Sequence, residues 1–259
     1  MPVSAALVIA HPGHELRAFG FLRRYHPKVA ILTDGSGSQG EPRIARTQQI
    51  LRENDCREGC WMGEISDTAI YGIILAGEVT PFVEWTIRLA AMLRENFVTL
   101  VAGDALEGFS PSHDLCRFML DAATDLLARE TGRRIVNHGF FLDGPPGVVP
   151  FARKDDAVVM NLDDAEFAAK KAAAHGYEEL RNELQRALDR FGEAPFRREV
   201  YFPAPCRLPL EAMFRQPPDY EVLGEQRVRE GVFPDVIRFH RHVRPLVERL
   251  RASLGLKQA

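Results

Sequence analysis

Short apolar runs, each followed by a loop broken by proline or glycine and then by a pattern of helical period, constrain this chain more than any other feature. Ala5-Ala6-Leu7-Val8-Ile9-Ala10 is followed by Pro12-Gly13 and then by Leu16, Phe19 and Leu22 at helical spacing. Lys28-Val29-Ala30-Ile31-Leu32-Thr33 leads into a loop rich in glycine and serine over 35–40 and a helical pattern over 42–52. A short strand is expected over 60–65, a helix opening at Thr80-Pro81, a strand over 97–102, a helix over about 115–129 and a strand beginning at Ile135. Runs of strand length at short intervals, separated by amphipathic helices, predict an α/β fold. It is Rossmann-like, a three-layer parallel sheet with helices on both faces. In such a sheet the loops leaving the carboxyl ends of the strands converge on one crevice, so distant residues can share a site.

The pattern changes near Gly144-Pro145-Pro146-Gly147 and the charged Arg153-Lys154-Asp155-Asp156. Residues 1–150 are therefore read as the α/β core, and residues 151–259 as a carboxyl-terminal helical extension packed on it rather than a second sheet domain. Asp163-Asp164 can cap a long helix reaching about Phe191, with Gly176 as its weak point. The proline-rich stretch 192–220 reads as irregular, and a last amphipathic helix is expected over about 234–254.

Composition narrows the function classes. With 46% hydrophobic and 27% charged residues and a net charge of -3, the 259-residue chain has the make-up of a soluble globular protein, with no whole-molecule case for nucleic acid or acidic membranes. The apolar run at the amino terminus is short and lacks a basic leader, so it reads as a strand, and no stretch reaches spanning length. Cys56, Cys60, Cys116 and Cys206 form no C-x-x-C pair, which argues against a disulfide framework and fits a reducing cytoplasm.

Chemistry concentrates at the strand exits. His11 and His14 flank Pro12-Gly13, so one turn can aim both imidazoles at a point, as a first-row metal requires. Ser110-Pro111-Ser112-His113-Asp114 follows the strand over 97–102 and supplies a third imidazole by the same strand, loop, helix grammar.

The motif His11-Pro12-Gly13-His14-Glu15, the strand ending in Thr33-Asp34-Gly35, and Ser110-Pro111-Ser112-His113 together resemble the LmbE or PIG-L-like zinc deacetylases, which remove acyl groups from N-acetylated amino sugars. The likeness covers about residues 3–145. It implies zinc ligands at His11, His14 and His113, the second replacing an aspartate of the family's H-P-D-D-E motif, and a small amino sugar or glycoconjugate as substrate. It also implies that Arg46 and Asp67 contact substrate, with Arg43 on the same helix also able to face the crevice.

Two departures stand out. The family's general base falls on Gly13, and its second active-site histidine falls on Ser110, beside the expected substrate. Glu107, Asp104 and Glu15 are the carboxylates available to replace the base. Three functions follow: a zinc-dependent N-deacylase, a catalytically silent relative that keeps metal and sugar binding, and a nucleotide-binding α/β protein using the 35–40 loop. That loop lacks the lysine and spacing of a phosphate-binding motif.

Overall fold

The computed structural model of the chain describes residues 3–37, 40–150, 155–204, 210, 214 and 216–257. Five parallel strands form the body of the sheet: β1 (Ala5–Ile9), β2 (Lys28–Thr33), β3 (Arg57–Ile65), β4 (Leu100–Asp104) and β5 (Val136–Phe140). With β6 (Val158–Asn161) and β7 (Arg198–Pro203) added, the order is β3-β2-β1-β4-β5-β7-β6. The direction of winding reverses between β1 and β4, which pair from Ala5 with Leu100 to Val8 with Gly103. This is the switch point at which an open α/β sheet forms its crevice.

Alternation along β1 divides the core into two layers. Ala6, Val8 and Ala10 pack with apolar side chains of α3 (Asp67–Ala76), α4 (Thr80–Glu95), α5 (Pro111–Thr131) and α9 (Arg244–Ser253). Ala5, Leu7 and Ile9 face the other way, onto α1 (Phe19–Tyr25), α2 (Ile44–Glu53) and α6 (Asp164–His175). Every residue of β1 is buried, as a strand covered on both faces must be. Close approach is also written into the sequence at Gly103, where an added Cβ would lie 2.6 Å from the Val8 carbonyl oxygen of the neighbouring strand.

Several expectations are corrected. The sheet is mixed at one edge, because β7 runs antiparallel to β5 and β6 antiparallel to β7, so residues beyond 150 contribute strands as well as helices. The signal in Arg198-Glu199-Val200-Tyr201-Phe202-Pro203 is hidden by Glu199, a charged residue that is buried. Its carboxylate accepts from Lys170 Nζ at 2.7 Å, from the Tyr201 hydroxyl at 2.7 Å and from the Gly20 amide at 3.0 Å. The long helix over 163–191 is two helices, since α6 ends at Gly176 and α7 (Arg181–Phe191) starts after a 3₁₀ turn at Glu178–Leu180. Asp163 and Glu166 form the capping box that starts α6.

Two helices lie where none is expected: α3, capped by the Ser66 side chain, and α8 (Asp219–Arg229). The last helix begins at Arg244 after a π-helical turn, rather than near 234. Cys56, Cys60 and Cys116 are free thiols; Cys206, Arg153, Lys154, and Ser38 and Gln39 of the glycine- and serine-rich loop lie outside the described residues. No single described helix is long and apolar enough to cross a membrane.

Glu199→Ala leaves the buried Lys170 ammonium and the Gly20 amide without their acceptor. Removing one partner of a buried ion pair costs about 3–5 kcal/mol. Urea unfolding of the variant should show a loss of that size, and a loss below about 1 kcal/mol would show that the group is effectively solvated.

Candidate functional site

The crevice at the switch point gathers the three histidines. His11 leaves β1, His14 opens the 3₁₀ turn His14–Ala18, and His113 sits in the first turn of α5 rather than on the loop before it. Their ring centroids lie 5.2 Å (His11 and His14), 4.8 Å (His11 and His113) and 4.6 Å (His14 and His113) apart. Proline at the start of α5 fixes where the helix begins, and so where His113 points.

Each of the first two rings is held from behind. His14 Nδ1 lies 2.9 Å from Asp104 Oδ2, and the same oxygen accepts the Ala10 amide at 2.8 Å. His11 Nδ1 lies 2.6 Å from the Thr33 hydroxyl and 2.9 Å from Asp67 Oδ1. Asp67 Oδ2 in turn accepts the Gly37 amide at 2.6 Å, tying the glycine-rich loop to the histidine. His11 Nε2 contacts the Ser112 hydroxyl at 2.9 Å, and Ser112 is 2.9 Å from Ser110 Oγ.

Burial favours the neutral form of His14 and His113. Desolvation lowers the His113 pKa well below its ordinary value, and the neighbouring His14 and His11 lower it further. For His14, burial again lowers the pKa although Asp104 opposes it. Neutral imidazoles are the form that ligates a metal. The donor set thus fits a first-row divalent ion, and a carboxylate behind a histidine is the usual outer partner of such a ligand. Among the described residues, no three such side chains already stand at coordination geometry. His11 Nε2 is spent on Ser112, so ligation by that atom requires this hydrogen bond to open.

The other anticipated residues divide between the site and its surroundings. Glu107 does not face the histidines: its carboxylate accepts the amides of Leu142 at 2.7 Å and Gly144 at 2.9 Å and closes the loop after β5. Glu15 is buried, accepting from the Gly13 amide at 2.7 Å and the Thr47 hydroxyl at 2.8 Å, and desolvation pushes its pKa up to about 7. Asp104 is at the site, as the partner of His14. Asp67 is there too, as the partner of His11. Arg46 lies against α6, with Nη2 3.5 Å from the Ala173 carbonyl oxygen, while Arg43 lines the cavity in front of the histidines. The Arg43 Nε is buried and has no hydrogen-bond partner among the described residues.

Sequence reasoning missed Ser112, Thr33 and the roof over the crevice. That roof is the turn and helix over 178–191, and Leu180 closes on Gly13. Gly13 has φ of 101°, and a Cβ built on it would lie 2.3 Å from Leu180 Cδ1. Leu180, from the turn after α6, occupies the space that a side chain at position 13 would enter.

No protein-family model matches the chain, and no curated protein does. The crystal structure of the conserved protein TT1542 from Thermus thermophilus is similar with a TM-score of 0.55 at 21% identity, over 80% of this chain and 96% of that one. The A40926 pseudoaglycone deacetylase Dbv21 is similar with a TM-score of 0.48 at 16% identity, over 78% and 97% of the two chains. A deacetylase of the teicoplanin biosynthesis pathway gives 0.49 at 12% identity, over 77% and 97%. The likeness to TT1542 shows that the two chains share one α/β fold.

Gly13→Ala places a side chain on a left-handed backbone position, which costs about 1–3 kcal/mol. The Leu180 methyl can swing aside, so the backbone carries most of that cost. Chemical unfolding of Gly13→Ala with and without Leu180→Ala should recover no more than about 0.5 kcal/mol as coupling. Full recovery would show that Leu180, not the backbone, forbids the side chain.

Proposed function

We propose that the protein is a metal-dependent amide hydrolase that removes an acyl group from an N-acylated amino sugar or related glycoconjugate. The observation that carries this reading is the convergence of His11, His14 and His113 at the switch point, with Asp67 and Asp104 behind the first two rings. These histidines would hold a zinc-like divalent ion, which when bound polarises an acyl oxygen and lowers the pKa of water.

The chain's own residues supply orientation. Asp104 fixes His14 through Nδ1 and Thr33 with Asp67 fixes His11 through Nδ1, which leaves Nε2 of His14 for a ligand, while Nε2 of His11 must first leave the Ser112 hydroxyl. Arg43, on the cavity wall, is the cation available to an anionic or carbonyl oxygen of the substrate. Ser110, where the resemblance implies a second histidine, presents a hydroxyl 2.9 Å from that of Ser112. In the reaction the amide C–N bond breaks, water oxygen bonds to the acyl carbon, and a proton passes to the leaving amine. Glu15 and Glu107 have both carboxylate oxygens engaged by amides or a hydroxyl, which disfavours them as the group that carries that proton. Asp104 acts as a positioning residue through His14.

The alternative is a silent relative that binds metal and sugar without turnover. It is favoured by one observation, that Leu180 fills the room beside Gly13.

Purified protein should hold about one zinc-like ion per chain, as an open three-ligand site does, and His113→Ala should lose it. Asp104→Asn should weaken the metal by about 10–100-fold, whereas Glu107→Gln should leave affinity unchanged. Plasma emission after dialysis against graded chelator decides this, and equal retention by His113→Ala and the parent would exclude His113 as a ligand.

Amine release from N-acyl-glucosamines should require the metal, vanish with chelator and return with zinc. Without a side chain at the usual base position, turnover should lie about 10²–10⁴-fold below that of a relative with one. If the metal-loaded parent frees no amine from any N-acyl sugar, the silent reading replaces the hydrolase.

A further inference from the structure

The cavity in front of the histidines has a volume of about 380 Å³ and is larger than an acetyl group needs. The three histidines lie at one part of its wall. The apolar part of its wall is formed by Phe109, Phe167, Leu180, Leu184, Leu188 and Phe196, and charged side chains, Arg43, Glu183 and Glu193 among them, border it. Most of the charged groups that border it point to other partners: Arg17 donates to the Leu142 carbonyl, Lys170 pairs with Glu199, and Lys171 pairs with Glu193. A second sugar ring would find few donors there.

Helix α7 makes the case sharper. Leu180, Leu184, Ala187 and Leu188 fall at i, i+4, i+7 and i+8, the spacing of a helix that buries one face. None of the residues of α7 is buried in the core, and these four instead face the cavity. From Leu180 to Leu188 the stripe runs about 12 Å, which an extended chain of about ten bonds spans. An apolar helix face that roofs a cavity continuous with three imidazoles calls for an apolar occupant attached to the reacting group.

We infer that the cavity under α7 receives the aliphatic chain of the acyl group, so that the site prefers medium-chain N-acyl sugars to N-acetyl ones. This inference rests on the hydrolase reading of the same site and names the acyl class. Burial of each methylene contributes up to about fourfold in affinity. The value of kcat/KM should therefore rise at least about tenfold from acetyl to octanoyl.

The test uses the full chain loaded with zinc and two readouts. The first is amine release from N-acetyl-, N-butanoyl-, N-hexanoyl- and N-octanoyl-glucosamine. The second is calorimetric binding of octanoate and of acetate, which needs no turnover. The expected result is a rising series, with octanoate bound more tightly than acetate. Leu184→Trp, which fills the cavity, and Leu188→Asn, which wets it, should both compress the octanoyl-to-acetyl ratio. A flat or falling series, or octanoate bound no more tightly than acetate, overturns the inference while leaving hydrolysis standing. If no substrate is cleaved, calorimetry alone decides: octanoate binding that Leu184→Trp removes keeps the cavity assignment and ends the hydrolase reading, and its absence ends both.

Discussion

One carboxylate holds the site together. Asp104, the last residue of β4, accepts the Ala10 amide at the exit of β1 and lies against His14 Nδ1 with the same oxygen. It therefore couples the register of two neighbouring strands to the orientation of an imidazole. The two strands can come this close because Gly103 offers no side chain to the Val8 carbonyl. Burying a carboxylate is costly without hydrogen bonds, and the groups that satisfy Asp104 Oδ2 are the ones the crevice needs in place, while Oδ1 is buried with no hydrogen-bond partner among the described residues. His11 is fixed in the same manner from β2 and α3, through Thr33 and Asp67.

The carboxyl-terminal part closes what the core leaves open. β7 joins the sheet beside β5, and buried Glu199 on it fastens Lys170 of α6 and the Gly20 amide of α1. That clamp sets α6, and through the turn at Glu178–Leu180 it sets α7 over the histidines. Leu180 then reaches Gly13. Leu180 thus lies where a side chain at position 13 would begin, and the left-handed backbone there sets most of the cost of adding one.

Much of this was legible in the residues. β-branched runs with helical spacing between them marked the strands from β1 to β5, and the rule that loops converge at strand ends brought His11, His14 and His113 together from distant positions. What escaped was the chemistry that depends on burial. Glu199 reads as a surface charge until a lysine and an amide are seen to face it, so β7 was hidden. Glu107 reads as a free loop carboxylate, yet it is consumed by the amides of Leu142 and Gly144. Arg46 and Arg43 lie three apart on one turn of chain, and only the packing of α6 against Arg46 decides that Arg43 takes the crevice. The roof was missed because residues 163–191 read as one helix with a weak point at Gly176, whereas the chain turns there and places α7 over the crevice.

The central claim is that His11, His14 and His113 act together as one ligand set. X-ray absorption at the zinc edge of the loaded protein tests it most directly, since it reports the atoms around the ion. The account predicts about three imidazole nitrogens at roughly 2.0–2.1 Å, with the multiple-scattering signature of histidine, falling by one in His113→Ala. A shell of oxygens alone, sulfur at roughly 2.3 Å, or a spectrum unchanged in the variant would contradict it.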